Sequence, residues 1–139
     1  MSDDGNDERR RRRSEETQQA ITYQLEYLVE TFETLELMVL ADDQGVMFAY
    51  AGDEEAAEVF AIQTALIADG APPDSELLEL IPNVRRDKIL CEPINLDDIP
   101  LYLGAVMEPT AENAKAYQRA RTGIQRIYYT TSELAGDQD

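Results

Sequence analysis

The chain contains no histidine. That absence excludes Ser-His-Asp and Cys-His catalysis and every imidazole-ligated metal site. Cysteine is nearly as scarce. Cys91 stands alone inside an apolar run, so no intrachain disulfide can form, and a buried thiol is expected over a reactive one. Gly45, Gly52, Gly70, Gly104 and Gly123 are isolated, and neither GxxxxGK[ST] nor GxGxxG occurs, so no phosphate-cradling loop is expected. No apolar run approaches the roughly 20 residues that span a bilayer, and none follows the N-terminal arginines. Neither a membrane segment nor a signal peptide is therefore expected, and a cytoplasmic location is. Lys88 and Lys115 are the only lysines, a scarcity that, with the acid excess, fits a high-salt source in which acidic surfaces stay hydrated.

What is present fits one acidic domain. The 139 residues suffice for a single core, and 43% of them are hydrophobic and 29% charged. There are 29 acidic against 12 basic residues, a formal charge of -17, and five of the basic ones are consecutive, Arg9 to Arg13. Residues 14 to 139 keep 7 basic and 25 acidic side chains, a field that repels nucleic acid and anionic lipid.

Carboxylates are the only abundant reactive groups. Asp42-Asp43, Glu54-Glu55 and Asp97-Asp98 all fall at turns or a helix start, where neighbouring solvated carboxylates cannot converge in a desolvated cleft. Asp42-Asp43-Gln44-Gly45 also lacks the alternating oxygen ligands of a calcium loop. No catalytic residue, metal or cofactor is expected, and the chain reads as a non-enzyme.

Along the chain, residues 1–14 are polar and without apolar periodicity, which predicts a disordered Arg-rich arm. That arm offers nucleic acid or an acidic partner a cationic handle; a solubilising role, or contact with the domain's own acidic surface, is the plainer expectation. From Glu15 a helix is predicted, with Ile21, Leu25, Leu28, Phe32 and Leu35 on its apolar stripe and Tyr23 and Tyr27 off it. Two apolar runs, Leu37 to Ala41 and Val46 to Ala51, flank the tight turn Asp42 to Gly45 and predict a hairpin. Asp53 is placed to cap a second helix, Glu54 and Glu55 favour its first turn, and Gly70 is placed to end it.

That helix carries Ala56, Val59, Phe60, Ile62, Ala65, Leu66 and Ile67, too broad a stripe for one side of a sheet, so a second surface is expected to cover part of it. Ser75 to Ile81 predicts a short helical turn ended by Pro82. Strands are predicted weakly at Asn83 to Arg86 and more strongly at Ile89 to Ile94 and Leu101 to Met107, with Pro93 implying a bulge or an unpaired amide. Thr110 then opens a last helix with Ala114, Tyr117, Ala120, Ile124 and Ile127 at helical spacing. It is expected to end near Thr130, placing the domain at residues 15–131 and a flexible acidic tail at 132–139. Arg119, Arg121 and Arg126 make its outer face basic, either a solvated face or a partner contact. The order α-β-β-α-β-β-β-α predicts an α+β fold, a five-stranded antiparallel sheet covered by helices.

This order, with the segments VLADDQGVMFAYAGDEEAAEVFAIQTALIA, IPLYLGAVM and AKAYQRARTGIQRIY, resembles the Roadblock (dynein light chain) family, in particular its bacterial branch, over roughly residues 18 to 129. The resemblance implies a Roadblock/longin/profilin-like fold. It also implies a homodimer formed by the second helix and the edge strand after it, with the sheet extended across two subunits. Carried to this sequence, the dimer positions are Phe60, Gln63, Thr64 and Ile67 on the helix and Val84, Arg85 and Arg86 on the strand. It further implies a scaffold or regulator of a small Ras-like GTPase. Two other classes remain open: a secretion chaperone, which would put three strands before its second helix, and a GAF- or PAS-type ligand sensor, which needs a pocket between sheet and helix.

Overall fold

The computed structural model describes residues 3–81, 86–96 and 99–136, with the backbone path alone at 3–14, 86 and 131–136. The elements are α1 (Asp3–Thr31), β1 (Leu35–Asp42), β2 (Met47–Ala51), α2 (Glu54–Ala68), α3 (Ser75–Leu80), a single 3-10 turn (Arg86–Lys88), β3 (Ile89–Leu96), β4 (Ile99–Met107) and α4 (Ala111–Gly136). The strands form one antiparallel sheet in the order β2-β1-β4-β3.

The sheet among the described residues therefore has four strands where five were expected. The weak candidate 83–86 lies outside the described residues except for Arg86, which opens the 3-10 turn. Both helical boundaries of the domain also differ from expectation. α1 reaches back to Asp3, through Arg9 to Arg13 where an arm was expected. Between Asp3 and Glu16 there is neither proline nor a β-branched residue, and arginine and glutamate are good helix formers, so the helix meets no stop. α4 continues to Gly136, past Thr130, with no proline in the way.

Both faces of the sheet are covered. On β1, Met38 and Leu40 point to a core shared with Ile21, Leu25 and Leu28 of α1 and Ala116, Tyr117, Ala120 and Ile124 of α4. Leu37, Val39 and Ala41 point to the opposite core, with Ala56, Ala57, Phe60 and Ala61 of α2 and Leu77 of α3. A strand buried on both sides must be apolar at successive positions, which is why Leu37 to Ala41 reads as a continuous run.

Local chemistry closes each connection. Asp42 Oδ1 accepts from the amides of Gln44 and Val46, both at 2.9 Å, and Gly45 takes a φ of +85°. Asp53 caps α2 by accepting from the Ala56 amide at 2.9 Å. At its other end Ala71 N donates to Leu66 O and Gly70 N to Ile67 O, a Schellman closure with Gly70 at φ +104°. Asn113, 2% exposed, donates to Thr34 Oγ1 and Glu108 O, tying the α1–β1 connection to the β4–α4 connection. Pro93 is accommodated because β3 is an edge strand; it pairs with Tyr102 without a register shift.

α2 packs tightly on the sheet at Gly104 of β4. A Cβ there would lie 2.7 Å from Phe60 Cζ and 3.1 Å from Thr64 Cγ2. Gly104→Ala is expected to lift α2 from the sheet and cost about 1–3 kcal/mol, read as a lower denaturant midpoint with an unchanged slope.

Candidate functional site

Several of the groups that the sequence singles out have structural roles among the described residues. Among the described residues no three His, Cys, Asp or Glu side chains cluster to hold a metal. Asp42 and Asp53 close a turn and a helix start. Asp97 and Asp98 lie outside the described residues. Cys91 is buried against α2 and α3, and desolvation pushes its thiol up to about 12. Tyr117 is buried on the other face of the sheet and donates to Leu103 O at 2.7 Å; burial first, then the Glu92 charge, raises its pKa too.

Two surfaces remain. The first is the outer face of α2. Phe60 and Thr64 are fully buried and Gln63 is 8% exposed, all turned into the chain's own fold rather than outward as the resemblance implied. Thr64 Oγ1 donates to Ala61 O, and Gln63 Oε1 accepts from the Asp74 amide, linking α2 to the start of α3. Ile67 is half-buried and lines a shallow groove with Pro72, Pro73 and Ile89. Val84 and Arg85 lie outside the described residues. Besides the acidic Glu54, Glu55 and Glu58 of its first turns, α2 presents two large apolar side chains to solvent, Ile62 at 67% and Leu66 at 61%, flanked by half-buried Val59 and Ala65. The signal for them was in the sequence. Ile62 and Leu66 lie two residues on from Phe60 and Thr64, about 200° around the helix, whereas the small Ala56, Ala57 and Ala61 mark the side that approaches the sheet.

The second surface belongs to α1 and α4. The three arginines expected to share a role do not share one. Arg121 forms an ion pair with Glu92 on β3 and also reaches Pro93 O. Arg119 lies over the Tyr27 ring, 5.5 Å from its centroid, and with Arg126 borders an open groove of about 440 Å³ between the helices. Its other lining residues are Gln24, Lys115, Gln118, Thr122 and Gly123. A second open groove, of about 450 Å³, runs along α1 at Gln18, Gln19, Thr22, Tyr23 and Glu26. Both lie on the helical layer, not between sheet and helix. Among the described residues, no helix is long and apolar enough to cross a membrane.

The domain is a four-stranded antiparallel sheet with the first and last helices on one face and α2 on the other. The solved structure of Myxococcus xanthus MglB is similar to it with a TM-score of 0.55, over 82% of this chain and 91% of that one, at 12% sequence identity, a likeness of fold. No protein-family model matches the sequence, and no curated protein does.

The buried thiol has a testable consequence. The unfolded thiol ionises above its ordinary value of 9.0 while the folded one stays protonated to about 12, so its stabilisation is complete below pH 9 and lost as pH rises. Between pH 8 and pH 10.5, Cys91→Ala should lose about 2 kcal/mol less stability than the parent chain in chemical denaturation. Equal losses would refute a neutral buried thiol.

Proposed function

We propose that the chain acts as a homodimer and that the dimer is a non-enzymatic scaffold or regulatory domain that binds or regulates a small Ras-like GTPase. The observation that carries the dimer is the outer face of α2. Ile62 and Leu66 stand exposed on a helix whose opposite side is fully packed, and α2 packs over β3, whose outer edge is unpaired among the described residues. Exposed apolar side chains on a helix and a free edge on a strand that the same helix covers suit a self-complementary contact in which the helices pack and the strands extend one sheet. A stable pair needs about 1,200 to 2,000 Å² of total buried area. The GTPase half rests on the Roadblock-type fold and on what that family resemblance implies.

The rival classes fare less well. Only two strands precede α2, against three expected of a secretion chaperone. The two grooves described above are open and lie on the helical layer, and the pocket between β1 and α2 and α3, at Leu37, Ala56, Leu80 and Ile81, holds about 170 Å³, less than the roughly 300 Å³ a ligand sensor needs.

Sedimentation at micromolar concentration should give a dimer. Introducing Ile62→Glu together with Leu66→Glu buries two unpaired carboxylates at the contact and should weaken association more than about 100-fold, leaving a folded monomer by circular dichroism. A monomeric parent chain would refute the dimer. Affinity purification with the full chain and with residues 1–14 removed should recover a GTPase with at least one bait; recovery with neither would end the regulatory reading while leaving the fold untouched.

A further inference from the structure

The groove between α1 and α4 differs in charge from the rest of the molecule. Residues 14 to 139 carry 25 acidic side chains, yet none lines this groove, whereas Lys115, Arg119 and Arg126 do. Two other cations are used internally, Lys88 by Glu108 and Arg121 by Glu92. Lys115, Arg119 and Arg126 form no ion pair among the described residues. They follow one another by four and seven residues along α4, and so form a single stripe about 16 Å long. Beneath it, Gln24 crosses from α1 to donate to Arg119 O at 3.1 Å, and its Oε1 is buried with no hydrogen-bond partner. A Cβ on Gly123 would fall 1.9 Å from Gln24 Nε2, so the glycine is what lets this side chain lie in the floor. Gln118 and Thr122 add neutral hydrogen-bonding groups to the wall.

We infer that this groove binds a short acidic peptide segment of a partner protein, on the face of the sheet opposite α2. Arg119 and Arg126 are about 10.5 Å apart along the helix, close to the roughly 9 Å between carboxylates three residues apart in a polyproline II segment, where both fall on the same side. The side chains of Gln118 and Thr122, and the Tyr27 ring beside Arg119, suit a peptide's amides and intervening side chains. Nucleic acid fits less well, because a strand longer than the stripe would run on to acidic surface such as Glu26 and Glu112. The inference does not depend on dimerisation or on a GTPase.

The test is a titration of the full chain, followed by amide NMR shifts, with a capped peptide Glu-Ala-Tyr-Glu and the same peptide carrying glutamine at both acidic positions. Shifts centred on Lys115, Arg119, Thr122, Gly123 and Arg126 are expected with the first and not with the second. They should weaken at least about 10-fold in the Lys115→Gln, Arg126→Gln double variant, whose melting and sedimentation should match the parent. No shifts, shifts elsewhere, equal response to both peptides, or tighter binding of inorganic phosphate or of an eight-residue oligothymidylate would each overturn the proposal. Binding that survives the double variant would do the same. Because the α2 face is untouched, a failure here leaves the dimer standing, and loss of the dimer leaves this groove intact.

Discussion

Strands β1 and β4 lose both of their faces to helices, and every other feature of the domain adjusts to that burial. α1 and α4 take one side with large residues, among them Leu25, Leu28, Tyr117 and Ile124. α2 takes the other with alanines, and the space they leave is filled by one ring, Phe60, seated over Gly104. A helix that approaches a sheet through alanines lies close to it, and what it holds on its far side is turned fully outward. The exposure of Ile62 and Leu66 is thus the geometric complement of the close packing beneath them.

The same two-sided burial leaves little room for reactive chemistry. Cys91 and Tyr117 sit on opposite faces of the sheet, both desolvated and both driven toward the neutral form. Asn113, Gln63 and Asp53 are committed to joining elements. Two surfaces of opposite character stand out among the described residues: a helix face bearing Ile62 and Leu66 on one layer, and a cationic groove between two helices on the other. Separate layers let the two be occupied together.

Much of the local structure was legible because its causes are local. The Asp42 to Gly45 turn, the Asp53 cap and the Gly70 stop each involve groups within a few residues of one another, so residue type and spacing suffice to read them. The extent of the terminal helices was not legible, since a run of like charge and the absence of apolar periodicity argue against a packed helix while propensity argues for one. The excess apolar surface of α2 was legible as an amount. Which of its residues face outward is marked by Ala56, Ala57 and Ala61 on the sheet side, yet the positions carried over from family resemblance, Phe60, Gln63 and Thr64, proved to be the buried ones.

The sequence by itself determined the order of elements, the capped turns between them, the acidity, and the exclusion of imidazole chemistry and phosphate loops, all of which depend on residue type and near-neighbour spacing. Only the tertiary structure decided the sheet order, the inward turn of Phe60, and the division of labour among the arginines. Arg121 is 29 residues from Glu92, and Arg119 lies 92 from Tyr27. Whether a cation is consumed inside the fold or left on a groove depends on which distant strand or helix it meets, and that is a property of packing, not of local pattern.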